Sequence, residues 1–352
     1  MPDRLRARGA NRACAASPGV VRHHYVPPVR AVLARTLSPR AYARLALLAL
    51  VALSAIVLTG AAVRLTGSGL GCPDWPKCHG SELPPLSTHA VIEFGNRMVG
   101  IVVGIVTLAV AAAAWRRRPF RRDLAVLSAL LPVGVAAQGI LGGLTVEHEL
   151  APGYVMAHFG LSMIILVGAV ALAWCARHEP GWRPRATDRA AVWPVRALLP
   201  LGALTVFVGT LVTAAGPHAG SAGTGEVVHR IDFKGSDTLT WMVHQHGALA
   251  SLLGVASVGV WLLLRRRDAE PGVRDAVTTV CVLLASQGIV GAAQYELHLP
   301  TEMVWIHVGL ATATWLALLW AIAAAGRLVP REAAVPEPAE AAEPLRLETV
   351  AR

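Results

Sequence analysis

Eight stretches of the chain are long and apolar enough to cross a hydrocarbon layer. A helix needs roughly 20 apolar residues to span about 30 Å of bilayer core, and 54% of all residues are hydrophobic. Because lipid offers no partners to backbone polar groups, such stretches are restricted to helices. The sequence therefore predicts an all-α integral membrane protein with eight transmembrane helices. They cover about residues 45–63, 90–115, 124–144, 154–175, 193–214, 241–264, 275–293 and 303–326.

The formal net charge of +10 is arranged by loop and is not spread over one surface. The alternate loops carry almost no Lys or Arg, and this asymmetry predicts that both termini and the basic loops are cytoplasmic. We therefore expect membrane lipid around the protein, no nucleic-acid partner, and a multi-pass location in a cell membrane, most simply the cytoplasmic membrane of a prokaryote. The arginines of the basic segments are Arg30, Arg35, Arg40 and Arg44; Arg116, Arg117, Arg118, Arg121 and Arg122; Arg177, Arg183, Arg185 and Arg189; and Arg265, Arg266, Arg267 and Arg274.

The two ends of the chain differ in composition from the spans. Residues 1–44 are rich in arginine and lack the apolar core and cleavage site of a secretory signal, so we expect a cytoplasmic tail followed by a first helix that acts as an uncleaved signal. Residues 328–352 are rich in Ala, Glu and Pro. This composition predicts a disordered cytoplasmic tail.

The two halves of the chain are similar to one another at an offset of 149 residues. The segment "AAQGILGGL" matches "ASQGIVGAA", and "YVMAHFGLS" matches "MVWIHVGLA". The alignment pairs Gln138 with Gln287 and His158 with His307. A unit of four spans is therefore used twice.

The repeat of four spans predicts the domain organisation. Because four is even, both copies cross the membrane in the same orientation, and an axis along the membrane normal relates such copies. We expect two tandem four-helix bundles related by a pseudo-twofold axis, covering residues 45–178 and 193–327. A cytoplasmic linker, residues 179–192, joins them.

Several polar side chains fall inside the apolar spans, all near the outer ends of even-numbered helices. A polar side chain in hydrocarbon is costly and usually faces a bundle interior. We therefore expect one polar layer near the extracytoplasmic face, with one cluster in each half. Its members are Glu93, Asn96 and Arg97 of the second span, His158 of the fourth, His244 and His246 of the sixth, and His307 of the eighth.

Two of these histidines, His246 and His307, lie on two helices of one bundle and can approach a planar cofactor from opposite sides. Two imidazoles give haem iron a six-coordinate centre suited to electron transfer. In the alternative interpretation each histidine only bonds between helices. Glu93 also has two interpretations: a hydrogen-bonded structural acid, or an acid, base or electrostatic group at a reaction centre.

The loop after the first span, "GCPDWPKCHG", contains Cys72 and Cys78 with two prolines between them. Its predicted place is outside the cytoplasm, where disulfides persist. The residues leave open a disulfide or a pair of free thiols in a turn. The loop lies over the outer end of the first bundle, and we expect it to form a stiff lid on the site there.

Five motifs in sequence order resemble haem A synthase, the membrane enzyme that oxidises the C8 methyl of haem O to the formyl group of haem A for cytochrome oxidase. They are "LTGSGLGCPDWPKCHG", "IEFGNR", "YVMAHFGLS", "HQHGALA" and "WIHVGLATA". The resemblance runs from about residue 45 to 326. It implies an oxidoreductase with haem b as cofactor and haem O as substrate.

The resemblance also implies the haem b ligands. His307 matches one ligand of the family's second half, and "HGALA" matches the segment that carries the other, at His246. The repeat offset of 149 places Gln245 opposite Asn96, which leaves His244 as an alternative ligand.

In the first half the family has an acidic residue, a histidine three places later, and then arginine. Glu93 and Arg97 match this pattern, whereas Asn96 stands where the histidine is usual. The resemblance then implies that His158 holds the first-half haem alone or with a weak ligand, which suits a substrate that must enter and leave. Arg97 is expected to offset the charge of Glu93 or to bind a propionate.

Two other functions compete with the synthase. A haem-binding membrane electron carrier without substrate chemistry predicts histidine pairs in both halves. A transporter built from two repeats predicts helices broken near the midplane, and we mark only Pro132 there. The expected partners of the synthase are haem O synthase and an electron acceptor such as quinone; a homo-oligomer is left open.

Overall fold

The structure is a computed structural model that describes residues 36–178, 184–186, 188–218, 220 and 228–328. Within these ranges eight helices are long and apolar enough to cross a membrane. The prediction of a helical, multi-pass membrane protein is confirmed. The helices are α1 (Pro39–Leu65), α2 (Thr88–Arg116), α3 (Arg122–Glu147), α4 (Pro152–Arg177), α5 (Arg189–Ala215), α6 (Thr238–Arg266), α7 (Pro271–Glu296) and α8 (Thr301–Ala324).

Each of the eight helices begins before its apolar stretch, and polar side chains cap the starts of α1 and α5. The Ser38 hydroxyl accepts a 3.2 Å hydrogen bond from the backbone N–H of Ala41, and proline is favoured at the first helical position that follows. Asp188 accepts a 2.9 Å bond from Ala190 at the start of α5. Helix α1 therefore begins at Pro39, within the predicted tail 1–44, and α5 begins at Arg189, within the predicted linker 179–192. Residues 1–35 and 329–352, including the tail expected to be disordered, lie outside the described residues.

A two-residue parallel pairing supplements the helices. Strand β1 (Arg185–Ala186) pairs with β2 (Arg327–Leu328). The pairing joins the segment before α5 to the end of α8. Gly326 makes the approach possible: it has φ of 81°, and a Cβ atom there would lie 2.1 Å from the carbonyl oxygen of Pro184. The regular elements of the described residues are thus the eight long helices, a short 3-10 helix at Gly235–Asp237 and this two-residue pairing.

The helices pack as two closed rings. In the first, α1 contacts α2 and α4, and α3 contacts α2 and α4. In the second, α5 contacts α6 and α8, and α7 contacts α6 and α8. Helix α8 also packs on α1 and α4, where the indole N–H of Trp315 donates to the carbonyl of Met163 at 3.1 Å. As a result α2 stands across the first ring from α4, and α6 stands across the second from α8.

Large apolar side chains cover the outside of the rings. Val133, Val255 and Ile289 expose 65%, 72% and 73% of their surface. Each would cost about 1 to 3 kcal/mol in water relative to burial. Surrounding hydrocarbon removes this cost, in agreement with a membrane location.

The repeat seen in the sequence recurs in the backbone of two turns. Glu149 and Leu150, between α3 and α4, have φ of 51° and 57°, and His298 and Leu299, between α7 and α8, have φ of 62° and 63°. The left-handed region is rarely occupied by such residues. Matching hydrogen bonds close the turns, from Leu150 to Thr145 at 2.9 Å and from Leu299 to Gln294 at 2.7 Å. Each equivalent position differs by the offset of the sequence repeat.

Three prolines lie inside these helices, more than the single interruption we expected. Pro132 is in α3, as the sequence indicated, and Pro194 and Pro200 are in α5. Both helices continue through them. The broken helices that a transporter predicts are therefore absent from the described spans.

Candidate functional site

Glu93 and Arg97 form a salt bridge at the outer end of α2. The Arg97 Nη2 atom lies 2.6 Å from Glu93 Oε1, and the two side chains expose only 15% and 7% of their surface. They are four residues apart on one helical face. The second carboxylate oxygen of Glu93 accepts a 2.6 Å bond from the backbone N–H of Cys72. Both oxygens of this acid are therefore engaged.

Arg97 also donates hydrogen bonds to the loop that contains the two cysteines. Its Nη1 donates to the carbonyls of Asp74 at 3.1 Å and Lys77 at 2.8 Å, and its Nη2 donates to Cys72 at 3.1 Å. The guanidinium presents several donors in a fixed plane, which suits a curved run of carbonyls. The alternatives expected for Arg97 were an offset to Glu93 or a propionate ligand, and the first contact is present.

The loop is crosslinked and tightly packed on α2. Cys72 and Cys78 form a disulfide and are fully buried. A Cβ atom at Gly71 would lie 2.3 Å from the carbonyl oxygen of His89, so only glycine allows this approach. The ring of His79 closes the loop through Nε2, 2.9 Å from the carbonyl oxygen of Gly71. The loop covers the N-terminal end of α2, and its role as a lid stays a prediction.

Asp74 fixes the far side of the loop. Its two carboxylate oxygens accept bonds from the backbone N–H groups of His79 at 2.6 Å and Gly80 at 2.7 Å. The bond from Gly80, with that from His79, holds the pKa of Asp74 below its ordinary value. Sequence reasoning did not single out this residue, although an Asp before a Gly-containing turn is a known signal.

The side chain of Trp75 in the loop contacts α3. A Cβ atom at Gly143 would lie 2.8 Å from Cδ2 of the Trp75 indole, so the ring lies directly on that glycine. Trp75 is still 41% exposed. The loop therefore bridges α2 and α3 at the mouth of the first ring.

Inside the first ring, the side chain of Asn96 on α2 is hydrogen-bonded to α1. The hydroxyl of Thr59 donates a 2.7 Å hydrogen bond to Asn96 Oδ1. His158 lies on α4, across the ring from α2. Both side chains are half-buried.

In the second ring, the structure brings His246 and His307 together. Their ring centroids are 6.2 Å apart, with an angle of 62° between the planes. His246 Nδ1 lies 3.1 Å from the carbonyl oxygen of Thr205. Since a carbonyl oxygen can only accept, Nδ1 carries the proton and the lone pair of Nε2 is left to bind a metal. His244, two residues from His246, is exposed, and residues two apart in a helix point in nearly opposite directions.

The distance between the histidine rings fits a metal held between them. Imidazole nitrogens bind metals at about 2 Å. Two such bonds, plus about 1.2 Å from each ring centre to its nitrogen, give roughly 6 to 6.5 Å between centroids. The measured 6.2 Å lies in this range. Two imidazoles at this separation on different helices are compatible with the axial ligand set of a haem iron.

Equivalent contacts in the two rings identify which residues correspond. Gly209 on α5 makes room for the imidazole of His246, since a Cβ atom there would lie 2.9 Å from Cε1 of that ring. Thr59 and Asn96 form the matching contact in the first ring. Thr59 precedes Gly209 by the same 150 residues that separate Asn96 from His246. In this part of the repeat the offset is one residue longer, so His246, not Gln245, stands opposite Asn96.

Each ring also contains a glutamine and a glycine that contact its α4 or α8 histidine. Gln138 Nε2 donates to the carbonyl of His158 at 2.9 Å, and Gln287 Nε2 donates to that of His307 at 3.1 Å. A Cβ atom at Gly142 or Gly291 would lie 3.3 Å from Cε1 of the respective histidine. The sequence repeat paired Gln138 with Gln287 without assigning them a partner. Their contact with the histidines was missed.

The outer loops join the two rings. Arg64 at the end of α1 donates to the carbonyl of His218 at 2.7 Å, and His218 Nε2 lies 2.8 Å from the carbonyl oxygen of Leu299. The backbone N–H of Gly69 donates to Gly220 at 2.7 Å. His218 thus links the end of α1 to the turn before α8.

Comparison with known proteins gives a consistent family. A family model described as "Cytochrome oxidase assembly protein" (COX15-CtaA) matches residues 43–91 and 87–319. A Heme A synthase of Symbiobacterium thermophilum is 30% identical over 277 residues, covering 74% of this chain and 87% of that protein. A Heme A synthase of Hyphomonas neptunium is 29% identical over 325 residues, with 76% and 87% covered.

Other similarities are shorter. A Heme A synthase of Bacillus licheniformis is 31% identical over 129 residues, which is 36% of this chain. That match spans less than half of the relative, 43% of its length. The family model, by contrast, extends over most of the eight helices. The chain belongs to the COX15-CtaA family of cytochrome oxidase assembly proteins.

Proposed function

We propose that the protein is a haem A synthase of a cell membrane, most simply the cytoplasmic membrane of a prokaryote, and that it oxidises the C8 methyl of haem O to a formyl group. One observation carries the proposal. The ring centroids of His246 and His307 lie 6.2 Å apart in the second ring, whereas the equivalent place in the first ring holds a single histidine, His158, and Asn96. Two chemically different sites suit one resident cofactor and one exchangeable substrate.

The two rings act as tandem four-helix bundles, residues 45–178 and 193–327, related by a pseudo-twofold axis along the membrane normal. The helix contacts within each ring and the repeated turns before α4 and α8 support this arrangement. The basic loops support cytoplasmic termini. The layer of Glu93, Asn96, His158, His246 and His307 then lies near the outer face.

The second bundle holds haem b between His246 and His307. The contact between His246 Nδ1 and the carbonyl of Thr205 fixes the ring so that Nε2 is available, as outer partners of metal-bound histidines do. Haem b supplies one-electron transfer when bound. His244 is the less suitable ligand, because it is exposed and points away from His307.

The first bundle binds haem O as substrate with His158 as its axial ligand. Asn96 is a poor iron ligand, and its amide oxygen is already occupied by Thr59. One strong ligand holds the substrate less firmly than two. This difference allows haem O to enter and haem A to leave, while haem b stays.

The reaction consumes water and releases electrons. The methyl group and two water molecules give a gem-diol, four protons and four electrons in two successive oxidations, and the diol then loses one water to form the aldehyde. A membrane quinone is the electron acceptor, and haem O synthase supplies the substrate. The proposed function does not require a second copy of the chain, and whether the protein forms a homo-oligomer is left open.

Glu93 acts at the reaction centre through its charge. Both of its oxygens are held, by Arg97 and by the N–H of Cys72, and a fixed carboxylate stabilises positive charge that develops nearby without reorganisation. This geometry favours an electrostatic role over proton transfer. The loop closed by Cys72 and Cys78 is the lid that Glu93 and Arg97 hold over the site.

A bis-histidine electron carrier without substrate chemistry is the second candidate. It requires a pair of ligands in both bundles, and the Thr59–Asn96 contact in the first bundle argues against a second pair. The test is expression in a membrane that makes haem O, followed by an optical spectrum of the purified protein and chromatography of its extracted haems. Haem A together with a low-spin haem b supports the synthase. Haem b without haem A identifies the carrier, and absence of haem rejects both.

A further inference from the structure

Both bundles contain the same pair of buried polar atoms without hydrogen-bond partners. In the first bundle they are Gln138 Oε1 and His158 Nδ1, and in the second they are Gln287 Oε1 and His307 Nδ1. Buried polar atoms are nearly always bonded, and an exception needs an explanation. Because the four atoms lie at equivalent positions of the repeat, each bundle contains the same unpaired glutamine oxygen and histidine nitrogen.

The two atoms of each pair belong to a glutamine and a histidine that already contact one another through other atoms. The glutamine amide already donates through Nε2 to the backbone carbonyl of the same histidine, at 2.9 Å in the first bundle and 3.1 Å in the second. Its other atom, Oε1, is an acceptor. The glycine four residues later, Gly142 or Gly291, presses on the ring at Cε1, where a Cβ atom would lie at 3.3 Å. Glutamine and glycine share one helical face and together restrict the ring.

A histidine that ligates a metal through Nε2 has a proton on Nδ1, and this N–H almost always donates to an oxygen. His246 has such an acceptor, the carbonyl of Thr205. His307 and His158 have no acceptor for Nδ1 among the described residues. The glutamine oxygen beside each of them is the acceptor that is free.

We propose that Gln287 and Gln138 are positioning residues for the axial histidines: Oε1 accepts the Nδ1–H of His307 or His158, directly or through one enclosed water, once Nε2 binds iron. The inference rests on the proposed function. The bond fixes the tautomer and makes the imidazole a stronger donor. A stronger donor favours ferric over ferrous iron, so Gln287 lowers the reduction potential of haem b.

The test measures the ferrous to ferric ratio of haem b in the purified protein at a fixed ambient potential. Gln287→Leu removes the acceptor and should raise this ratio by about tenfold, taking the smaller effect that loss of an outer partner has on metal affinity or activity as a guide. Gln287→Glu offers a stronger acceptor and should lower the ratio below that of the unaltered protein. A residue that only fills space would not shift the ratio in opposite directions.

Gln294→Leu is the matched control. It makes the same substitution on the same helix, at another glutamine whose Oε1 is also buried without a partner, and it should leave the ratio unchanged. Gln138→Leu should likewise leave haem b unchanged, since it acts on the other bundle. Equal ratios for Gln287→Leu, Gln287→Glu and the unaltered protein, or shifts in the same direction, would overturn the inference. An unaltered protein without low-spin haem would instead reject the proposed function.

Discussion

Thr59 donates a 2.7 Å hydrogen bond to Asn96 at the place where the second ring has Gly209 beside His246. The threonine side chain fills the space that the glycine leaves for an imidazole. A change of Asn96 alone therefore cannot create a second histidine pair. The identity of both residues distinguishes the first ring from the second.

Combining Thr59→Gly with Asn96→His should convert the first site to a bis-histidine site. We expect the double variant to carry about twice the low-spin haem of the unaltered protein, because a six-coordinate iron with two imidazoles is low-spin. The measurement is haem per protein with an optical spectrum. Asn96→His alone serves as the control, and an equal gain in that variant would contradict the role of Thr59.

Removing Arg97 should unfasten the loop. Arg97→Ala leaves a buried carboxylate and four loop carbonyls without their donor, and loss of one partner of a buried ion pair costs about 3 to 5 kcal/mol. We expect faster protease cleavage within residues 72–80 and a lower ratio of haem A to haem O. Lys77→Ala is the control, since its ion pair with Glu82 is exposed. Unchanged cleavage in Arg97→Ala would contradict the assigned contacts.

Gly71→Ala should destabilise the contact between the loop and α2. A methyl group would lie 2.3 Å from the His89 carbonyl oxygen, and overpacking of this kind costs about 1 to 3 kcal/mol. The thermal unfolding midpoint in detergent measures the effect. Gly95→Ala, within α2, is the control. A Cβ atom at Gly95 would have no atom within 4 Å, so this substitution should be neutral or slightly stabilising. A midpoint for Gly71→Ala equal to that of Gly95→Ala would show that the loop does not pack here.

The loop should loosen in acid through Asp74. The N–H groups of Gly80 and His79 lower the pKa of this carboxyl in the folded loop. Its stabilising contribution is therefore present above the pKa of the unfolded chain, about 3.9, and is lost as pH falls through the lower folded value. Reduction of the Cys72–Cys78 bond by a phosphine, followed by thiol labelling, should be slow and constant from pH 7 to 5 and faster below about pH 4.

Asp74→Asn is the reference for this experiment. The amide keeps one acceptor oxygen and no charge, so it cannot bind both N–H groups. Reduction should be faster than in the unaltered protein at neutral pH, and the difference between the two proteins should disappear in acid. A constant difference at every pH would remove Asp74 as the origin of the acid effect.

The sequence predicts the helices well because lipid constrains them strongly. Eight apolar stretches gave eight helices, and the repeat offset recurs in the turns at Glu149 and His298. The helix starts were less accurate. Ser38 and Asp188 extend α1 and α5 beyond their apolar stretches, and hydropathy does not detect a cap.

The sequence supplied the candidate residues of the site but few of their contacts. The rings of His246 and His307 lie 6.2 Å apart, and their role as ligands stays a prediction. The sequence did not predict three contacts. These are the hydrogen bonds from Arg97 to the loop carbonyls, from Thr59 to Asn96 and from Gln287 to the backbone of His307. These contacts join different elements, and the path of an irregular loop has no period that a sequence reveals.

The haem composition of a purified His158→Ala protein tests the central claim most directly, namely that the first bundle holds the substrate and the second the cofactor. We predict a full complement of low-spin haem b and no haem A, because His158 serves only the first site. The His307→Ala protein should instead lose the low-spin haem b. Loss of haem b from His158→Ala, or continued formation of haem A in it, would contradict the assignment of the two sites.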